Sequence, residues 1–367
     1  MTIREKWEHV LKTKASYITA DYLAEKYPIV IADDNLLVNG SVLPNDRLLK
    51  LVNQLDLNEA LLLDGELIAT RLQKDQFDLL VTSDFVDEIS GFEIKGTPLI
   101  KLQNKWDIFQ YNRAAIEYDF QLLTKGRQSQ PISSTNRILS KDNVFLEKGA
   151  YVECAILNAQ SGPIYVGKNA TVMEGSILKG PVTIGEHAVV KMGAKVYGPT
   201  TIGPYCKAGG EIKGSVLFAH SNKSHDGYMG DSVIGEWCNL GADTNTSNLK
   251  NNYTEIKMWN YSIETFEPSG HLFCGLMMGD HSKTGINTMI NTGTVIGVSA
   301  NVFGSGYPRT FIPSFSWGGN RGFSTFSIEK ALETARTVIG RRGTPMSSTD
   351  ENIMREVFES TAKYRRK

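Results

Sequence analysis

A period of six residues dominates the middle of the chain and constrains its fold more than any other feature. From Val166 to Lys213 the sequence divides into eight consecutive hexads: VGKNAT, VMEGSI, LKGPVT, IGEHAV, VKMGAK, VYGPTT, IGPYCK and AGGEIK. Each hexad begins with an aliphatic residue or alanine. A helical period cannot produce this spacing, whereas a parallel β-helix does, because each hexad supplies one short strand and one turn. We therefore predict a parallel β-helix in which three hexads form one coil and the leading residues point inward.

The repeat resumes twice further along the chain. A short run is led by Ile234 and Leu240, and we predict two excursions from the coil, at roughly 214–232 and 246–276. Insertions in a solenoid emerge as surface loops, and such loops often carry function. The last run is led by residues spaced six apart, which are Met278, Thr284, Ile290, Ile296 and Val302.

Changes in pattern divide the chain into three predicted parts. Residues 1–130 mix helical patterns with short apolar runs, which predicts a partial α/β domain that closes with an amphipathic helix over 106–124. Residues 131–312 contain the β-helix. Residues 313–367 hold two helical patterns, which we expect to cover the last coil because an open solenoid end exposes core and strand edges.

Composition excludes several classes of partner. The net charge of −1 gives no sign of a nucleic-acid partner, and no apolar run is long enough to cross a bilayer, so we predict no membrane partner. Four separated cysteines suit a reducing cytoplasm and argue against a disulfide framework. The histidines lack the close spacing of a zinc motif, so they do not predict a zinc site.

One long motif interrupts the regular hexads. Residues 211–248 read EIKGSVLFAHSNKSHDGYMGDSVIGEWCNLGADTNTSN. This run resembles the bifunctional N-acetylglucosamine-1-phosphate uridyltransferase/glucosamine-1-phosphate acetyltransferase family, whose β-helix is left-handed. The N-terminal part resembles the nucleotidyltransferase domain of the same family, particularly in DDNLLVNGSVLPND and WDIFQYNRAAIEYDF. The resemblance therefore implies a nucleotidyltransferase-like α/β domain, here partial, followed by a left-handed β-helix and C-terminal helices.

The resemblance also implies roles for individual residues. His225 corresponds to the catalytic base, and Asn248 to the asparagine beside the reacting amine. A near-neutral imidazole suits this role, because an amine that attacks acetyl-CoA must lose a proton. The implied sugar-phosphate ligands are Lys213, Tyr228 and Asn239, with Lys191 and Lys195 near the position of a family arginine pair. The implied acetyl-CoA contacts are Ala242 and Asp280.

Departures from the family pattern keep three functions open. Lysines stand near the position of the arginine pair, NLKN replaces NYDG, and Asp280 falls where the family carries a serine. The first hypothesis is acetyl-CoA-dependent N-acetylation of an amino-sugar 1-phosphate by a cytoplasmic homotrimer. The second is nucleotidyl transfer from UTP or dTTP with Mg²⁺, with the β-helix as a trimerising or regulatory scaffold. The third is a scaffold that binds such ligands without catalysis.

The start of the chain bears on the second hypothesis. Nucleotidyltransferase domains of the family begin with a strand and a basic phosphate-binding loop, but this sequence opens within a predicted helix. We expect either a longer natural protein or a domain that has lost the loop, since a triphosphate needs such a cradle of backbone N–H groups. Asp64 and Asp84 are candidate metal ligands, although we favour ordinary loop carboxylates for both.

Overall fold

Parallel pairing between successive coils converts the six-residue period into a β-helix. Thr171–Val172 pairs with Val189–Val190, 18 residues later, and Ile177–Lys179 pairs in the same way with Lys195–Tyr197. Three hexads therefore form one coil, which confirms the prediction. The hand of the coil stays a prediction based on the resemblance.

The β-helix lies in the second of two units. The computed structural model describes residues 1–77, 89–96 and 98–365, so Asp84 lies outside the described residues. Internal contacts divide the chain into Met1–Gln103 and Asn104–Lys367. In the described part of the chain, no helix has the length and apolar character that crossing a membrane requires.

The first unit combines helices with a mixed sheet. Its core contains Trp7, whose indole nitrogen donates to the Val42 carbonyl at 2.9 Å. Asp64, with φ of 52°, lies in the tight turn of a hairpin, so this predicted loop carboxylate is a turn residue. The helices are α1 (Ile3–Leu11), α2 (Asp21–Ala24) and α3 (Asp46–Val52). The sheet has the order β1-β3-β2-β4, with β1 Asp34–Val38, β2 Glu59–Leu63, β3 Glu66–Gln73 and β4 Ser90–Glu93.

Parallel sheets form the walls of the β-helix, which we call faces 1, 2 and 3. The chain visits them repeatedly in that cyclic order and enters at face 2 with Arg137–Leu139. Corner 1–2 joins face 1 to face 2, and corners 2–3 and 3–1 follow. Face 1 contains Tyr151–Val152, Thr171–Val172, Val189–Val190, Lys207–Ala208, Asn222–Lys223, Lys283–Thr284, Asn301–Val302, Ser316–Gly319 and the antiparallel Gly322–Thr325. Face 2 contains Arg137–Leu139, Ile156–Asn158, Ile177–Lys179, Lys195–Tyr197, Glu211–Lys213, Tyr228–Gly230, Asn245–Thr246 and Met289–Ile290. Face 3 contains Val144–Leu146, Ile164–Val166, Val182–Ile184, Thr200–Ile202, Val216–Leu217, Val233–Ile234, Met277–Met278, Val295–Ile296 and Phe311–Ile312.

The leading residues of the hexads form the core of the β-helix. Alternate residues of a strand point to opposite sides, so one apolar residue per short strand suffices to fill the interior. The leads of the eight consecutive hexads are fully buried, and they are Val166, Val172, Leu178, Ile184, Val190, Val196, Ile202 and Ala208.

Corner 3–1 carries a column of stacked rings that the sequence pattern did not predict. Glycine, asparagine and aspartate are the residues that most readily adopt a positive φ, but aromatic residues with φ between 55° and 62° occupy this corner in these coils. The left-handed conformation costs an ordinary residue roughly 1–2 kcal/mol, and ring stacking offsets that cost. Neighbouring centroids lie 4.9, 5.0, 4.0 and 6.4 Å apart along the column His187, Tyr205, His220, Trp237 and His281.

The first predicted excursion is wrong, because residues 214–232 stay within the wall. Lys207–Ala208 pairs with Asn222–Lys223, only 15 residues later, so the coil becomes shorter here instead of longer. Corner 1–2 takes two residues, Gly209 and Gly210, in this coil, whereas the next coil uses the four residues 224–227.

The second predicted excursion is confirmed. Between faces 2 and 3 the chain leaves the wall after Thr246 and forms an antiparallel hairpin, Lys257–Asn260 with Thr265–Pro268. Ile256 and Met258 of this excursion pack in a cluster with Val233 on the outer side of face 3.

The helical segment after residue 103 packs on the β-helix. It forms α4 (Asp107–Gln110) and α5 (Asn112–Thr124), divided at Tyr111, where one helix was predicted. The Asn112 side chain donates to the Pro199 carbonyl at 3.0 Å and accepts from the Thr201 hydroxyl at 2.9 Å. By internal contacts the units therefore divide at residue 103, because these helices contact the β-helix, and the domain boundary at 130 stays a prediction.

Two C-terminal helices pack against the last coils, as expected. They are α6 (Ile328–Gly340) and α7 (Ser348–Ser360), and short 3₁₀ turns occur at Lys141–Asn143 and Ala362–Tyr364. Leu332 and Met354 cluster with Phe315, a corner residue that is fully buried. The helices thus cover apolar side chains at the end of the repeat.

Truncation of an inward leading residue should destabilise the fold. Leu178→Ala removes a fully buried side chain from the interior, and we expect the free energy of unfolding in urea to fall by about 2–5 kcal/mol. Lys179→Ala, at the neighbouring exposed position, is the control and should change it by less than about 0.5 kcal/mol. Equal effects of the two substitutions would contradict the assignment of inward and outward positions.

Candidate functional site

The corner that carries His225 rests directly on two glycines. A Cβ on Gly209 would lie 2.3 Å from the Ser224 carbonyl oxygen, and one on Gly210 would lie 2.9 Å from the Asp226 Cα. Real side chains do not tolerate such distances to backbone atoms. The glycine pair thus allows the four-residue corner 224–227 to lie against a coil that has only two residues at this point.

Hydrogen bonds hold this corner on both sides. The Glu211 amide below donates to the Gly227 carbonyl at 3.1 Å, and the Asp243 amide above donates to the Asp226 carbonyl at 3.0 Å. The His225 side chain is exposed, so a solute can reach it. The residues that follow lead directly into the strand Tyr228–Gly230 of face 2.

A polar cluster lies on face 2 next to that strand. Asp231 is its centre: its Oδ2 accepts from the Asn248 amide nitrogen at 2.5 Å and lies 3.7 Å from the Lys213 ammonium. The Tyr228 side chain also interacts with Asn248. Three residues predicted from the sequence, Lys213, Tyr228 and Asn248, are therefore brought together, and Asp231 joins them.

Gly230 leaves space for this cluster. A Cβ at this position would lie 2.3 Å from the Tyr228 hydroxyl and 2.6 Å from the Asn248 amide nitrogen. Both side chains therefore cross the strand where it has no side chain of its own. The glycine of the sequence YMGD is needed for this arrangement.

Burial shapes the electrostatics of the cluster. Desolvation raises the pKa of Asp231, although the Asn248 hydrogen bond and the Lys213 charge act in the opposite direction. Desolvation also raises the pKa of the Tyr228 phenol, and the nearby Asp231 carboxylate adds to the effect. Tyr228 is therefore a neutral hydrogen-bonding group at neutral pH, not a base.

The excursion after Thr246 contributes to the same site. The Lys213 ammonium lies 4.8 Å from the centre of the Phe273 ring, which is exposed. The returning chain is fixed nearby, because the Cys274 amide donates to the Asn248 carbonyl at 2.9 Å and the Gly275 amide to the Asp231 carbonyl at 2.8 Å. The excursion thus places an aromatic side chain over the cation.

A second ion pair borders the cluster on face 2. Lys195, a predicted ligand, lies 3.6 Å from a carboxylate oxygen of Glu211, which also accepts from the Tyr197 hydroxyl at 2.7 Å. Burial and the Glu211 carboxylate raise the pKa of Tyr197. Each lysine of this region therefore faces a carboxylate, and a bound anion would compete with that carboxylate.

The other predicted site residues lie at different places on the β-helix. Ala242 is at corner 1–2 in the coil above His225, and Lys191 is at the same corner two coils below. Asn239 is exposed on face 1, between Asn222 and Lys283. Asp280 is near corner 3–1, where its Oδ1 accepts from the Glu236 amide at 2.7 Å. One chain thus does not bring Asn239 and Asp280 to the face 2 cluster.

Sequence reasoning missed Asp231, Glu211 and Phe273. Asp231 stands in the motif itself, three residues after Tyr228, and Glu211 stands two residues before Lys213 on the same side of its strand. The alternation of a strand was therefore a usable signal for Glu211. No sequence period connects Phe273 with Lys213, because the excursion folds back outside the repeat.

Removal of the buried charge at Asp231 should stabilise the fold near neutral pH. Because its pKa in the folded state is raised, the folded protein binds the proton more tightly than the unfolded chain, whose carboxyl titrates at about 3.9. The stabilising effect of protonation is present below that value and is lost as pH rises through the folded pKa. We expect Asp231→Asn to have the higher free energy of unfolding at pH 7 and to match wild type at pH 3.5, as measured by urea titration. A variant that is less stable only at pH 7 would contradict this prediction.

Metal ligation has no candidate cluster in the described part of the chain. Across residues 1–77, 89–96 and 98–365, no group of three or more His, Cys, Asp or Glu side chains is placed to hold a metal ion. The structure therefore assigns no ligands for Mg²⁺, and we derive no step through a metal.

Comparisons with known proteins find one matching family model and several bifunctional relatives. The family model described as "Sugar nucleotidyl transferase" matches residues 1–128. The "Bifunctional protein GlmU" of Methanocaldococcus jannaschii is 37% identical over 87 residues, which are 24% of this chain and 21% of the relative. The bifunctional sugar-1-phosphate nucleotidylyltransferase/acetyltransferase of Sulfurisphaera tokodaii is 39% identical over 93 residues, which are 25% of this chain and 23% of the relative. The matches thus span less than a quarter of each relative's length.

Solved structures with a partial overlap include two acyltransferases. The polySia specific acetyltransferase NeuO shares 13% identity with a TM-score of 0.28, over 57% of this chain and 95% of that one. The UDP-N-acetylglucosamine acyltransferase of Campylobacter jejuni shares 13% identity with a TM-score of 0.24, over 62% of this chain and 96% of that one. Part of the chain is thus similar to bifunctional GlmU proteins, and the match to the sugar nucleotidyl transferase family over residues 1–128 precedes a parallel β-helix.

Proposed function

We propose that the β-helix transfers an acetyl group from acetyl-CoA to the amino group of an amino-sugar 1-phosphate. One observation carries the proposal: the exposed His225 lies on a corner that rests on two glycines. This corner leads into the strand of Tyr228, next to the cluster that contains Lys213 and Asn248. The similarity to bifunctional nucleotidyltransferase–acetyltransferases supports the same chemistry.

The proposed reaction needs one base and one set of positioning groups. The sugar amine attacks the thioester carbonyl, so a C–N bond forms and the C–S bond to coenzyme A breaks. His225 takes the proton that the amine loses, and the departing thiolate acquires a proton to give free coenzyme A. Asn248 orients the amine by a hydrogen bond, and Ala242, directly above this corner, lies where the resemblance implies the thioester.

The phosphate of the acceptor would bind to cations that already have partners. Lys213 is paired with Asp231, and Lys195 with Glu211. We infer that the phosphate takes the Lys213 ammonium and the Tyr228 hydroxyl while Asp231 keeps its bond to Asn248. The lysine ammonium attracts phosphate as a point charge, whereas an arginine guanidinium binds it with two directed hydrogen bonds. This site therefore imposes less geometric selection on the phosphate than a pair of arginines would.

We propose that the active form is a cytoplasmic homotrimer with a left-handed coil. The resemblance implies acyl-CoA sites between neighbouring subunits. This assembly agrees with the placement of Asn239 on face 1 and Asp280 near corner 3–1, away from the cluster on face 2 of the same chain. In a trimer, these residues would contribute to a site shared with a neighbouring subunit.

A second candidate function is nucleotidyl transfer to a sugar 1-phosphate from UTP or dTTP with Mg²⁺. The match of residues 1–128 to the sugar nucleotidyl transferase family favours it. The described residues of this part offer no cluster of metal ligands, so we assign no residue to the reaction. In this case the β-helix acts as a scaffold for the trimer.

Replacement of His225 should abolish acetyl transfer without unfolding the protein. We expect His225→Ala to lower kcat with glucosamine 1-phosphate by about 10²- to 10⁴-fold, the usual contribution of a general base. The measurement is release of free coenzyme A thiol from acetyl-CoA across a panel of sugar 1-phosphates. Because the side chain is exposed, the urea midpoint and the mass in light scattering should not change.

His9→Gln provides the control, since His9 is an exposed histidine of helix α1. Full activity of His225→Ala would exclude the assigned base. Pyrophosphate release from UTP or dTTP without thiol release would favour the second candidate. Neither product from the wild-type protein would favour a binding scaffold without catalysis.

A further inference from the structure

Lys223 occupies an inward position of the β-helix. The register of face 1 aligns it with Ala208, and further down the same column with Val190 and Val172. Its side chain is fully buried, whereas the inward positions of the coils below carry alanine or valine and the one above carries Leu240. A lysine therefore stands where the repeat calls for a small apolar residue.

The Lys223 ammonium holds the corner of His225 from the inside. It donates to the His225 carbonyl and, at 2.9 Å, to the Asp226 carbonyl. The Asp226 carbonyl also accepts from the Asp243 amide of the coil above. The corner is thus fixed by an interior cation in addition to the backbone of its neighbours.

Packing does not account for a lysine at this position. Burial lowers the pKa of Lys223 to about 8, although the charges of Asp226 and Asp243 act in the opposite direction. Replacing a buried ionic group by an apolar side chain of similar volume is commonly neutral or stabilising. An aliphatic residue would satisfy the interior equally well but would leave the two carbonyls without this donor.

We propose that Lys223 is a positioning residue that sets the backbone of the His225 corner for proton transfer. The ammonium bonds to the carbonyl of His225 itself, so it fixes where the side chain begins without contacting substrate. This inference rests on the proposed acetyl transfer. Its structural part, that the buried ammonium orders residues 224–227, stands independently of the reaction.

Lys223→Met separates positioning from stability. Methionine has a similar length and no charge, so we expect the urea midpoint to stay the same or rise. We expect kcat for acetyl transfer to fall by about 10²-fold, the usual effect of a small misplacement of a reacting group. The KM values for acetyl-CoA and the sugar phosphate should change less than about twofold, since their contacts are retained.

Lys207→Met is the matched control. Lys207 lies one coil below on the same face, at the outward position that pairs with Asn222, and it is exposed. Its replacement removes the same charge from the same strand pair without touching the corner. Its kcat should stay within about twofold of wild type, as expected for a side chain that makes no contact with the corner.

Amide hydrogen exchange tests the structural part alone. The Glu211 and Asp243 amides donate to the Gly227 and Asp226 carbonyls of the corner. We expect both to exchange about tenfold faster or more in Lys223→Met, because a charge-assisted hydrogen bond that holds the corner is lost. The amide of Ile177, in a distant coil, reports on the rest of the β-helix and should not change.

The outcomes divide clearly. Unchanged kcat and unchanged amide exchange in Lys223→Met would overturn the proposal. A lower urea midpoint together with an equal loss of protection from exchange at every amide would also overturn it, because that result marks a purely structural residue. If the wild-type protein transfers no acetyl group, the proposed function fails while the exchange result still decides whether Lys223 orders the corner. If Lys223→Met does not fold, Lys223→Gln, whose shorter and uncharged side chain removes the charge-assisted bonds to both carbonyls, is judged by the same readouts.

Discussion

Backbone pairing between equivalent strands of successive coils is the constraint on which the rest of the structure depends. Before the last coil each of these strands is only two or three residues long, so it is held by its neighbours above and below and not by its own length. This pairing fixes which side chain of every strand points inward. A polar side chain can therefore be placed on the outer wall with the precision of a sheet, although the strands themselves are short.

Changes of coil length, not a large insertion, create the corner of His225. Where the register shortens to 15 residues, two glycines replace a four-residue corner, and the next coil's corner lies on them. The long excursion has a different role, since it returns along Asp231 and Asn248 and covers Lys213 with Phe273. The two irregularities thus act on the same side of the β-helix, one at its corner and one over its face.

The hexad pattern made the β-helix, its inward residues and the C-terminal helices predictable, because a strict period reports directly on alternation between inside and outside. It did not predict the shortened coil, since loss of residues at a corner and an outward loop both break the period in the same way. The packing of α4 and α5 on the β-helix was also hidden, because an amphipathic pattern identifies a buried face but not its partner. The motif pointed to Lys213, Tyr228 and Asn248, whereas Phe273 came from tertiary folding alone.

Two ionisable groups with little or no exposure flank His225 along the chain, and both have pKa values shifted toward their neutral forms. Lys223 is inside the wall, and Asp231 is at the centre of the outer cluster. Burial disfavours the charge of each, so each lowers the stability of the folded state near neutral pH relative to a neutral residue. The inward positions below Lys223 in its column are alanine and valine. A fold that needed only its core would have no use for either charge, whereas a site that must hold an imidazole and an amide in fixed positions does.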